Sequence, residues 1–124
     1  MAIERFTTIT LQVSDVERSL HFYRDGLGLS FNPASSESAV GAMVGDLFLL
    51  LHKDFEPGLG EKERGAGIEL HFGIPDADEY FEELRQRGVE PHGEPKDQPW
   101  GRVFSLSDPD GYAIEFVAPL AKVE

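Results

Sequence analysis

The sequence holds no cysteine, which excludes disulfides, thiolate zinc sites and a thiol nucleophile. It is also short of positive charge: 11 Lys and Arg stand against 23 Asp and Glu, a formal charge of -12. That balance repels phosphate backbones and anionic membranes, so neither a nucleic acid nor a membrane is an expected partner. Long apolar runs are missing as well. The longest, Leu47 to Leu51, is far too short to cross a bilayer, and Met1-Ala2-Ile3-Glu4-Arg5-Phe6 has no apolar signal core, so a cytoplasmic protein is expected. No P-loop, dinucleotide-binding glycine pattern, Ser-His-Asp order signature or zinc-finger spacing occurs, which leaves nucleotide and hydrolase readings without support.

What is present is periodicity, repeated twice within a length that suits one domain. From Thr7 to Val13, Ile9, Leu11 and Val13 alternate with Thr8, Thr10 and Gln12, the pattern of a half-buried strand. Ser14 and Glu17 then predict a capping box, with Val16, Leu20 and Tyr23 at helical spacing up to Gly26. Three extended segments follow at Leu29 to Phe31, Ala39 to Val44 and Leu47 to Lys53. These make a βαβββ module over 7–53. Residues 54–65 are polar and aperiodic and read as a connector, in which Phe55 either lids a cleft or covers a sheet edge.

The same order returns over 66–118. Ile68, Leu70 and Phe72 alternate with Glu69, His71 and Gly73; Asp76 and Glu79 predict the second capping box; Ala77, Phe81 and Leu84 form the stripe up to Gly88. Strands are expected at Val89 to His92, Arg102 to Ser107 and Tyr112 to Ala118. An order of elements recurring at an offset of about 60 residues says more than local propensity. The expected fold is α+β, with two tandem βαβββ modules forming a curled mixed sheet around a cleft.

Asp108-Pro109-Asp110-Gly111 is a turn that launches the last strand, where Glu115 is a lone charge on the face opposite Ile114 and Phe116. Counting back from each helix, Thr8 falls on Glu69; counting forward from the Gly45-Asp46 and Asp110-Gly111 turns, Leu49 falls on Glu115. The face turned from the helices then carries Thr8, Thr10, Gln12, Leu49 and Leu51 in the first module and Glu69, His71 and Glu115 in the second. Trp100 lies in the turn-rich Gln98-Pro99-Trp100-Gly101 and stacks on a flat ligand, plugs the core or makes a dimer contact. Arg102 is the nearby cation.

Arg18-Ser19-Leu20-His21-Phe22-Tyr23 with Gly26-Leu27-Gly28-Leu29, and Asp108-Pro109-Asp110-Gly111 leading to Glu115, resemble the vicinal oxygen chelate superfamily of glyoxalase I, extradiol dioxygenases and bleomycin-resistance proteins. Phe31-Asn32-Pro33, Met43-Val44 and the strand Leu47 to Leu51 look like the branch labelled as predicted lactoylglutathione lyases. The resemblance implies the glyoxalase/bleomycin resistance fold, a homodimer and a small-molecule ligand.

In metal-using members four positions ring the cleft, and they fall here on Thr8, Leu49, Glu69 and Glu115. Only the two glutamates can serve, with His71 a possible third ligand two residues from Glu69. The expectation is no cofactor, or a weakly bound divalent ion such as Mg²⁺ or Mn²⁺. The resemblance also sets the first and last strands of a module side by side, which makes Glu69 and Glu115 neighbours. Two adjacent carboxylates cannot both ionise cheaply, so one pKa would rise and give an acid/base couple; the alternative is a pair separated by solvent or tied by Arg102. The leading expectation is a small-molecule cleft protein with a largely lost metal site and glyoxalase-like lyase or isomerase proton transfer by Glu115 and Glu69. The competing one is sequestration of an aromatic or cationic compound without catalysis.

Overall fold

A computed structural model describes residues 2–32, 37–54, 59–60 and 62–121. The chain divides into two compact units, Met1–Arg64 and Gly65–Glu124. Phe55 lies outside the described residues.

In the first unit, β1 (Thr8–Val13) leads into α1 (Val16–Leu20). The helix is capped by Asp15, whose Oδ1 accepts from the Arg18 amide at 3.2 Å, and not by Ser14 as the capping box predicted. Ser14 instead accepts from the Arg18 guanidinium at 2.6 Å. The helix widens into a π-helical turn, His21–Gly26, closed by the Leu27 amide donating to the Phe22 carbonyl at 2.9 Å. After it, β2 (Ala39–Val44) and β3 (Leu47–Lys53) form a hairpin across Gly45-Asp46. The sheet order is β1-β3-β2, with β1 parallel to β3.

The register corrects one expectation. Ile9 pairs with Leu49 and Leu11 with Leu51, so both leucines share the buried, helix-facing side with Leu11, Val13, Val40 and Ala42. Thr8, Thr10 and Gln12 pair with Phe48, Leu50 and His52, and those three complete the other face. Leu49 and Leu51 are core residues beneath α1, because Leu47 to Leu51 is an unbroken apolar run and its parity is invisible until strands pair. The tip of the Phe48 ring occupies the space a methyl on Gly41 would need. Asp54 and Arg64, a largely buried ion pair, tie the two ends of the connector together.

The second unit repeats the plan. Its elements are β4 (Glu69–Gly73), α2 (Ala77–Gln86), β5 (Lys96–Gln98), β6 (Gly101–Ser107) and β7 (Ala113–Ala118), in sheet order β4-β7-β6-β5. Again the first strand runs parallel to the last. Asp76 caps α2 by accepting from the Glu79 amide at 3.0 Å, as the sequence predicted. Tyr80 and Phe81 of α2 pack edge-on against Phe116 and Phe104, at centroid distances of 5.0 and 5.5 Å. Burial there pushes the Tyr80 phenol up to about 12.

The strands expected at Leu29 to Phe31 and Val89 to His92 do not form. Each neighbourhood gives its sheet one backbone bond: Asn32 to Gly41 at 3.2 Å, and His92 to Ser105 at 2.9 Å. In the second case Pro91 removes the donor a ladder would need, and pairing resumes at β5.

Candidate functional site

The turn before β7 fixes where Glu115 stands. Asp108 is buried, and its Oδ1 accepts from the amides of Asp110 and Tyr112, both at 2.9 Å. Its carbonyl accepts from the Gly111 amide at 3.0 Å, and Gly111 holds φ +91, a conformation that would strain a side chain. Tyr112 then enters the core, and Ile114 and Phe116 follow it in alternation towards α2. Glu115 is left on the opposite face.

On that face β4, β7 and β6 place His71, Glu115 and Ser105 in one row, since His71 pairs with Glu115 and Glu115 with Ser105. Glu69 pairs with Ala113 instead. The two carboxylates are therefore not direct neighbours, and His71 stands between them. Its Nδ1 lies 3.4 Å from Glu115 Oε1 and its Nε2 3.6 Å from Glu69 Oε2. Both gaps exceed a normal hydrogen bond. Trp100, 61% exposed, folds over from the β5–β6 turn, and its Nε1–H donates to Glu115 Oε1 at 3.2 Å. Glu115 itself keeps 23% of its side chain exposed, against 71% for Glu69 and 49% for His71.

Beside Glu115 is a cavity of about 260 Å³, lined by His92, Glu94, Lys96, Gln98 and Ser105 among others. The His92 Nε2 and Ser107 Oγ are 3.2 Å apart at the margin of this face. Sequence reasoning missed Lys96, Gln98 and Ser105: it assigned no strand to 96–98, reading Gln98 into a turn-rich segment, and gave Ser105 only a place in the expected strand Arg102 to Ser107. The one available signal was alternation: Lys96 and Gln98 flank Asp97 with the parity of a strand.

Arg102 does not join the site. It pairs with Asp97 and Ala118 on the α2 side of the sheet, where its guanidinium donates to both Asp78 oxygens at 2.9 and 3.0 Å and to Asp97 at 2.9 Å. That contact holds the Asp78 carboxyl below the usual carboxylate range. The alternative in which Arg102 ties the glutamates together is thereby removed.

The donor set does not suit a bound divalent ion. The two ring nitrogens of His71 face different carboxylates, so a nitrogen of His71, Glu69 and Glu115 do not converge on one point. Among the described residues no group of three or more His, Asp or Glu side chains is placed to hold a metal. Leu49, expected as the counterpart of Glu115, has no donor atom and lies in the core, so the strand register shifts that position by one residue.

Thr8, Thr10 and Gln12 occupy the corresponding face of the first unit, with Phe48, Leu50, His52 and the exposed Met43. Taking Thr10 as the counterpart of His71, the counterpart of Glu115 is Leu50. This face carries no carboxylate among its paired residues.

Residues 5–116 match the family described as Glyoxalase/Bleomycin resistance protein/Dioxygenase superfamily. Among solved structures, TnmS3, an antibiotic binding protein from Streptomyces sp. CB03234, is 31% identical. The match covers 96% of this chain and 98% of that one, with a TM-score of 0.77. A glyoxalase/bleomycin resistance protein/dioxygenase from Nocardioides, 24% identical, covers 100% of this chain and 89% of its own with a TM-score of 0.81, and shares the fold. YraH of Bacillus subtilis (strain 168), an uncharacterized protein, is 29% identical over 118 residues, 86% of this chain and 92% of that protein. No described helix is long and apolar enough to cross a membrane.

Proposed function

This chain belongs to the Glyoxalase/Bleomycin resistance protein/Dioxygenase superfamily, and on that premise we propose that it binds and sequesters a planar aromatic cation on the Glu115 face of its second sheet. The observation that carries this is the Trp100 indole, largely exposed and hydrogen-bonded to Glu115, a residue that lines the cavity. An aromatic plane stacks on a flat ring, a partly buried carboxylate attracts its positive charge, and a net charge of -12 steers cations toward the surface. The likeness to an antibiotic binding protein at 31% identity supports a binding role. The proposal includes a cytoplasmic homodimer and needs no resident metal.

Trp100 is the sole tryptophan, so its fluorescence reports directly on the site. Titration with proflavine, a planar cation, and with bleomycin should quench it saturably. Glu115→Gln should weaken proflavine binding about tenfold, the scale of a lost charge-assisted contact. Saturable binding that Glu115→Gln leaves intact would refute the site.

A second reading, glyoxalase-like isomerisation, is favoured by His71 standing between two carboxylates. Glu115 would take the proton from the carbon bearing the hydroxyl of a hemithioacetal and return it to the adjacent carbonyl carbon, while the hydroxyl proton passes to the former carbonyl oxygen, with His71 positioned to share the charge. Turnover of the methylglyoxal–glutathione hemithioacetal that disappears in Glu115→Gln would establish it. Proflavine binding without such turnover leaves sequestration as the function.

A further inference from the structure

The cavity beside Glu115 is lined by charge of both signs: Glu115 and Glu94 are acidic and Lys96 is basic. Lys96 and Glu115 share the face turned from α2, because Lys96 pairs with Val103, and Val103 and Ser105 have the same parity on β6. They are two strands and two residues apart, a Cα separation of about 12 Å from ordinary strand spacing and rise. Both line the cavity.

Lys96 is the one formally positive side chain among the lining residues. Among the described residues no ion pair engages it: Arg102, the nearest arginine on the same hairpin, is held by Asp78 and Asp97 on the other side of the sheet. Glu94 also lines the cavity, and no ion pair joins it to Lys96. In a chain with twice as many acids as bases, an unengaged ammonium in a cavity needs a reason.

Resting on the binding site proposed above, we infer that the ligand is an aromatic zwitterion, with a protonated amine at Glu115 and Trp100 and a carboxylate or similar anion at Lys96. A simple anion meets Glu115 and Glu94, and a dication meets Lys96. A rigid ring system with opposite charges at its two ends satisfies both, while Gln98 and Ser105 supply neutral hydrogen-bonding groups between them.

Ciprofloxacin carries a carboxylate and a protonated piperazine at opposite ends of one aromatic nucleus; its methyl ester keeps the cation and loses the anion. Isothermal titration should show the acid binding about fivefold more tightly than the ester, the scale of one partly exposed ion pair. Lys96→Met should make the two equal, and Lys96→Glu should reverse the order. Because Lys96 is exposed, melting temperatures of both variants should match the parent and certify folding. Equal affinity of acid and ester in the parent protein, or a ratio that survives Lys96→Met, overturns the inference. Proflavine separates the two levels: if it binds and the acid-to-ester ratio is one, only the zwitterion inference fails. If proflavine, acid and ester all fail to bind, the underlying site fails with it.

Discussion

The two units share a plan and differ on one surface. In each, the first strand runs parallel to the last, an Asp-capped helix covers one side of the sheet, and the buried strand residues of the covered side are aliphatic or aromatic. The uncovered sides diverge: Thr8, Thr10 and Leu50 in the first unit stand where Glu69, His71 and Glu115 stand in the second. Packing under a helix restricts half of every strand to apolar residues of the right volume, whereas the alternate half is free to carry charge. Among the paired residues of these faces, carboxylates therefore occur in one copy of the repeated scaffold.

The largest effect that would break this contrast is on the covered side. Phe116→Ala should remove about 3–5 kcal/mol of stability, because its ring contacts Phe72, Tyr80 and Phe104; Glu69→Gln on the uncovered side should change stability by less than about 0.5 kcal/mol. Urea denaturation of both variants measures the difference. If Glu69→Gln costs as much as Phe116→Ala, the two sides are not divided as described.

Binding gives the next comparison. Glu115→Gln should weaken proflavine about tenfold, and Leu50→Gln at the counterpart position should change it less than twofold. Equal losses would spread the site over both units.

Within the first unit, Gly41→Ala should cost about 1–3 kcal/mol, the usual price of overpacking, since the new methyl must displace the Phe48 ring. The second unit has no corresponding ring over Gly73, whose methyl would meet nothing within 4 Å; Gly73→Ala should be far milder in the same thermal melt.

The smallest effect is pH-dependent. Arg64 holds the Asp54 carboxyl below its ordinary range, and Arg102 does the same to Asp78, one ion pair in each unit. A carboxyl whose folded pKa is depressed contributes stability above its unfolded pKa and loses it as pH falls through the folded value. Arg64→Ala and Arg102→Ala should therefore both be less stable than the parent at pH 7, the exposed Arg102 pair by less, and the difference from the parent should shrink as pH falls through the carboxylate range. Circular dichroism against pH reads both.

How far the residues announced this arrangement varies from strand to strand. Thr8, Thr10, Glu69, His71 and Glu115 were placed on the uncovered face by alternation alone, because each interrupts a run of apolar neighbours. Leu49 and Leu51 were not, since Leu47 to Leu51 offers five apolar residues and no parity marker. The cap of α2 was legible in Asp76-Ala77-Asp78-Glu79, while for α1 the sequence pointed to Ser14 and the structure uses its neighbour Asp15. Arg102 was misplaced because its partner, Asp78, is 24 residues away in the chain. Lys96 went unnoticed because three strand residues beside Pro99 resemble a turn.

By itself the sequence determined the duplicated order of elements, the apolar sides of the helices, and the turn that delivers Glu115, all of which follow from local periodicity and backbone preference. Tertiary structure alone decided which residues meet across strands: that His71 and not Glu69 faces Glu115, that Trp100 reaches the same oxygen, and that Lys96 lies on the same side. The reason is that alternation fixes parity within a strand, while the pairing between strands is set by hydrogen bonds among residues far apart in the chain.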